Sequence, residues 1–294
     1  MKEKQKSNIK SVLKFVLKIA ISAVALYFVY QKIEWDELKS TLMATNIGWY
    51  LLAFLAFNLS KSVAAFRTQT YYQSQGLQLG TLFNYRLYYT GMFYNLFLPG
   101  SIGGDAYKIY LLRGKEVKTK NLIYCGLLDR LSGLTLLFIL GVVLLFMAKV
   151  EGEYAYELKV ISLVLAVVAL PVLFGISHWM GKGSFNKVFW KTSAQSLLVQ
   201  IGQVLTAICL LVAIGVKTQF FSYLYLFMIS SVFAGLPITV GGVGARELVF
   251  LYGYDYLPIM KEMAMTFTLL FFSITALSSF LGFFASFTLK RDSK

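Results

Sequence analysis

Long apolar runs broken by short polar stretches organise this chain. Their pattern predicts helices over about 12–31, 47–66, 121–148, 158–178, 193–215 and 264–289. Runs at 81–98 and 219–236 carry more tyrosine and serine, and each leads into a glycine-rich break. Residues 247–258 read as a short amphipathic or half-membrane helix stopped by Pro258, and 71–79 as a polar connection. Several runs approach the roughly 20 apolar residues that a helix needs to cross a bilayer. The pattern therefore predicts an all-α integral membrane protein of about seven or eight helices, forming one polytopic domain over residues 1–294.

Composition agrees and narrows the chemistry. Hydrophobic residues make up 57% of the chain and charged residues 14%, which excludes an ordinary soluble domain. The net charge of +14 does not point to nucleic acid, because the basic residues lie beside predicted helix ends, where they meet headgroups and set orientation. Cys125 and Cys209 fall in apolar segments, His178 is the sole histidine, and the chain has no HExxH, nucleophile elbow or P-loop. No metal or cofactor is expected. The basic flank from Lys2 to Lys18 precedes an apolar run without a small-residue cleavage site, so the first helix reads as uncleaved.

The distribution of charge also tests the topology. A basic N-terminus places residue 1 in the cytoplasm. If every run were a full crossing, the loop with Lys108, Arg113, Lys115, Lys118 and Lys120 would fall outside. The conflict disappears if residues 81–104 enter the membrane and return to the same side. The loop with Glu151, Glu153 and Glu157 is then outside, while Lys182, Lys187, Lys191 and the C-terminus are cytoplasmic.

The two breaks share a cassette. PGSIGGDAYK (99–108) and PITVGGVGAR (237–246) align a proline, a glycine pair and a cation, every position 138 residues apart. Glycine-interrupted segments at corresponding places in two halves mark binding sites in transporters built from inverted repeats. Irregular backbone at membrane depth must be buried in protein or line an aqueous cavity, and the N–H groups opening the second half of a broken helix attract anions. A plain surface turn between two helices is the competing reading.

Ionisable residues inside apolar runs are candidates for function. Asp129 and Arg130 are adjacent on one helix, so each needs another partner; Arg86 or Arg246 could serve Asp129, and Asp105 could hold Arg130 or Lys108. An interior ion pair that only fixes helix register is the alternative. Arg246 suits phosphate, Glu247 suits a helix N-terminus, and Asn84, Tyr85, Tyr88, Tyr89, Tyr94 and Asn95 could line a passage or anchor at the interface.

At PGSIGGDAYKIYLLRG (99–114), LLDRLSGL (127–134) and LPITVGGVGARE (236–247) the chain resembles the flippase-like membrane domain of lysylphosphatidylglycerol synthases. The resemblance implies a helical bundle with re-entrant helices and a cavity open to lipid headgroups. It also implies lipid translocation, or assistance to an unlinked enzyme that makes the lipid. The last predicted helix stops a few residues before Lys294, so the soluble aminoacyl-transfer domain and its tRNA are not carried over. The matched positions are Gly103, Gly104, Asp105, Asp129, Arg130, Gly241, Gly242, Arg246 and Glu247; Arg86, Asn95 and Lys108 complete the candidate headgroup site. The expected function is translocation of a phospholipid or polyprenyl-linked lipid with an anionic headgroup. A non-transporting subunit or an enzyme of cell-envelope lipid or polysaccharide synthesis is the alternative.

Overall fold

The computed structural model describes residues 35–97, 103–114, 117–150, 152–235 and 244–292. The predicted helix at 12–31, residues 99–102 of the first cassette and Gly241 and Gly242 of the second lie outside them. The described residues contain ten α-helices and no strand: α1 (Trp35–Met43), α2 (Ile47–Ser74), α3 (Thr81–Phe97), α4 (Gly103–Leu112), α5 (Thr119–Met147), α6 (Ala155–Gly181), α7 (Phe189–Ala213), α8 (Phe220–Gly235), α9 (Ala245–Gly253) and α10 (Lys261–Asp292). Five helical segments are long and apolar enough to cross a membrane: α2, α5, α6, Asn186–Ala213 and most of α10. The protein is an all-α, multi-pass membrane protein.

Two local expectations need correction. Asp36 and Glu37, which read in sequence as part of a short acidic loop after the first helix, lie in the first turn of α1, whose Leu38 is buried in the core. The supposed connection at 71–79 is helical as far as Ser74. The polar residues leading into it are satisfied in place: Thr68 and Thr70 donate to carbonyls four residues back, and Gln69 Nε2 donates to Leu79 O at 2.9 Å. Hydrogen-bonded in this way, they cost little to bury.

The start of α2 shows how local sequence sets the bundle. Asn46 Oδ1 accepts from the amides of Gly48 and Trp49, while its own N–H donates to Ala213 O at 2.8 Å. One residue thus caps α2 and joins it to the end of α7. Asn46→Ala is expected to cost about 1 kcal/mol, measured as a lower unfolding temperature of the detergent-solubilised protein.

The helices repeat. A long helix, a shorter one, a break, a short helix and a long helix occur twice, as α2–α5 and as α7–α10. Helices α2 and α7 begin at Ile47 and Phe189, α4 and α9 at Gly103 and Ala245, and α5 and α10 at Thr119 and Lys261, each pair 142 residues apart. Packing follows the same rule. Helices α2 and α7 pack against each other, α3 packs on α10, and α8 packs on α5.

The α2–α7 pair is antiparallel, since Asn46 meets Ala213 while Arg67 meets Ser196. Midway, Ser60 faces Gly202, its equivalent 142 residues on, where an added Cβ would lie 2.8 Å from the Ser60 Cβ. The other two crossings also match. Gly282 of α10 receives the backbone of Tyr89, and Gly141 of α5 receives the side chain of Met228. Antiparallel equivalents meeting at one point require a pseudo-two-fold axis perpendicular to the helices. In a bundle that crosses a membrane, this is an inverted repeat.

Each break turns the chain back. Gly104 bonds Asn95 while Lys108, one turn on, lies against Gly91 and Tyr88, so α4 returns along α3. Arg246 reaches Ser230 while Gly253 meets Leu226, so α9 returns along α8. The 17 residues of α3 span about 25 Å at roughly 1.5 Å each, short of a hydrocarbon core of about 30 Å. The first hairpin starts and finishes at the end of the bundle where Gln75 bonds Asn121 and Ser184. The second starts and finishes at the opposite end, where Tyr223 exchanges hydrogen bonds with Met260.

Candidate functional site

Between the halves lies a two-lobed cavity. One lobe, about 340 Å³, is lined by residues that include Lys61, Gln203, Ser231, Arg246, Phe271 and Ser279. The other, about 290 Å³, includes Arg67, Asp105, Lys108, Asp129, Arg130 and Gly133. Tyr88, Met92, Asn95, Leu137, Gln200 and Gly235 line both, so the lobes are continuous. Five cations and two carboxylates border the space, an excess of positive charge at membrane depth.

The carboxylates organise the second lobe. Arg67 Nε donates to Asp129 Oδ1 at 2.8 Å, and its Nη1 donates to Ser196 Oγ at 2.9 Å. Gly133 makes room for that guanidinium, since a Cβ there would sit 3.3 Å from Arg67 Nη1. Asp105 bridges two cations, taking Lys108 Nζ on Oδ1 at 2.8 Å and Arg130 on Oδ2. Lys108 reaches this position by running over Gly91, with its ammonium above the Tyr88 ring. Helices α2, α4 and α5 are thereby joined through buried charges, which need such partners to be tolerated.

Several expectations change at this level. Asp129 is served by neither Arg86 nor Arg246 but by Arg67, which the extension of α2 places mid-helix and buried. Arg86 does not line either lobe. Gly104 contributes close packing rather than an exposed amide: its N–H donates to Asn95 Oδ1 at 2.8 Å, and its Cα abuts the Gly91 backbone. Gly103 begins α4 and borders neither lobe. Glu247 has a local role, its Oε2 accepting from Gly244 N at 2.8 Å.

The helix starts also shift the correspondence of the two cassettes by one turn, from 138 to 142 residues, aligning Asp105 with Glu247 instead of Lys108 with Arg246. Of the passage candidates, Tyr88 and Asn95 line the cavity. Asn84, Tyr85 and Tyr89 bond to α2, and Tyr94 stacks on Tyr107.

Lys61 and Arg67 were legible only as charges near the end of a predicted helix. The helix runs on to Ser74, which puts both within it rather than at its end. Among the described residues, no cluster of His, Cys, Asp or Glu has the makings of a metal site.

The architecture defines a class: a polytopic helical protein with two inverted halves and a cation-rich cavity between them. The model of the lysylphosphatidylglycerol synthase TM region matches residues 15–183 and 179–282, and the chain belongs to that family. No curated protein matches the chain.

Proposed function

We propose that this protein moves lipids with anionic headgroups between the leaflets of the cytoplasmic membrane. The observation that carries the reading is the cavity's excess of cations at the interface of the two inverted halves. The turned-back α3–α4 and α8–α9 elements support it as re-entrant hairpins entering from opposite faces, the arrangement in which transporters place a central site. The end carrying Arg113, Lys118, Lys120, Lys182, Lys187 and Lys191 then faces the cytoplasm, and the end carrying Asp36, Glu37, Glu153 and Glu157 faces outward.

A headgroup enters the cavity while its acyl chains stay in the bilayer, so the charge never crosses hydrocarbon unaccompanied. The sequence carries no nucleotide-binding motif, so in this reading movement is downhill or coupled to an ion or the membrane potential. An unlinked lipid-modifying enzyme fits as a partner supplying the cargo.

The test is leaflet exchange of fluorescent phosphatidylglycerol in vesicles containing the purified protein. Wild-type protein is expected to accelerate exchange, and Arg246→Ala to slow it about tenfold or more, as expected for loss of a charge-assisted contact. Vesicles that bind the lipid yet show no exchange would favour a non-transporting subunit of lipid synthesis instead.

A further inference from the structure

The two lobes hold their cations in different ways. In the lobe of Asp105 and Asp129, Arg67, Lys108 and Arg130 all meet carboxylates. In the other lobe, Lys61 and Arg246 meet no carboxylate among the described residues and lie on aromatic rings. Lys61 Nζ is 4.7 Å from the Phe57 centroid, and the Arg246 guanidinium is 4.3 Å from that of Phe271 and 5.1 Å from that of Phe227. Phe57 meets Phe271 edge-on at 5.8 Å, and Phe271 meets Phe227 at 4.9 Å, so the three rings form one floor.

A ring face attracts a cation through its quadrupole, yet it neutralises no charge and leaves N–H donors unused. The Lys61 ammonium makes no hydrogen bond among the described residues. Among the same residues Arg246 commits only Nη1, to Ser230 and Ser231 at 3.3 Å each. Both cations border the same lobe. Two like charges with spare donors facing one polar space are an incomplete arrangement, and an oxyanion completes it.

Building on the translocation reading, we propose that Lys61 and Arg246 form the phosphate subsite, the ammonium and guanidinium sharing the two anionic oxygens of one phosphate. The Arg67–Asp129 pair is neutral and the Asp105–Lys108–Arg130 group keeps one positive charge against the two of this lobe; with their cations committed to carboxylates, these groups shape the cavity without holding the phosphate. Ser231 and Ser279 supply hydroxyls on the same wall. The ligand class is a phosphate ester, and its source is either a lipid phosphodiester or a soluble phosphate.

Calorimetric titration of the detergent-solubilised full chain separates the sources, using short-chain phosphatidylglycerol, short-chain phosphatidylcholine and inorganic phosphate in turn. Phosphatidylglycerol is expected to bind more tightly than the zwitterionic phosphatidylcholine. Lys61→Gln and Arg246→Gln should each weaken it about tenfold or more, the scale of a lost charge-assisted pair. Lys61→Arg should retain binding, and Lys191→Gln, exposed near the start of α7 and outside the cavity, should leave it unchanged. Unfolding temperatures of all four variants check that the fold persists.

Saturable inorganic phosphate binding that is lost in the same variants, without phosphatidylglycerol binding, keeps the subsite and assigns it to a soluble phosphate, against the lipid reading. Lipid binding with the expected losses but no leaflet exchange keeps the subsite and overturns translocation. Unaltered phosphatidylglycerol binding in both glutamine variants, or no binding of any probe by the wild type, overturns the subsite, whatever the exchange assay shows.

Discussion

Asp129→Leu is expected to destabilise the protein by about 3–5 kcal/mol, the cost of leaving one member of a buried ion pair unpartnered. Arg67 and Asp129 are only 5% and 8% exposed, so water from the cavity they border replaces the lost carboxylate poorly. Ser196, which also accepts from Arg67, is neutral and does not compensate the charge. Removing both charges should be far milder than removing one. The Arg67→Met/Asp129→Leu double variant is therefore expected to recover most of the loss. Thermal unfolding in detergent checks both statements, and an Asp129→Leu protein as stable as wild type would refute the proposed energetic role of the pair.

Gly104→Ala and Gly282→Ala should each be at least as damaging as the upper part of the roughly 1–3 kcal/mol range for overpacking. A Cβ at either position would lie 1.9 Å from a carbonyl oxygen, that of Gly91 or Tyr89. Both obstacles are backbone, so no flexible side chain can swing aside. The first substitution forces α4 off α3, and the second forces α10 off α3. Gly126→Ala is the control. Nothing lies within 4 Å of its added Cβ, and an alanine in a helix interior is favoured over glycine by about 1 kcal/mol. Its unfolding temperature is expected to hold or rise, while those of the other two fall.

Much of this architecture is written in hydrophobic periods. The apolar runs place every long described helix to within a turn or so at most ends, and the charge distribution matches the observed return of α4 to the end from which α3 starts. Helix ends are harder to read where polar residues are buried with their partners. The helix reads as ending near residue 66 and the connection as starting at Tyr71, but α2 runs on to Ser74, with Gln69 bonding Leu79 and the threonines bonding their own helix. That single misreading hides Arg67, and with it the true partner of Asp129.

The glycine cassettes reveal the duplication, but their register differs by one turn from that of the helices. Gly104 sits where the backbones of α3 and α4 touch, and such a contact need not occupy the equivalent position in the other half. The aromatic floor beneath Lys61 and Arg246 is invisible in sequence, because Phe57, Phe227 and Phe271 come from three separate helices. Singly, each reads as ordinary core.

The inverted halves match in backbone but not in charge. All the ion pairs among the described residues join members of the first half, Arg67, Asp105, Lys108, Asp129 and Arg130. Counting 142 residues on from Asp129 reaches Phe271, the ring under Arg246. A scaffold whose halves were chemically alike would have two end states of equal energy, exchanged by its own dyad. Among the described residues the ion pairs lie on one side of that dyad, so under the translocation reading the degeneracy is lifted and one of the two orientations is the preferred resting one.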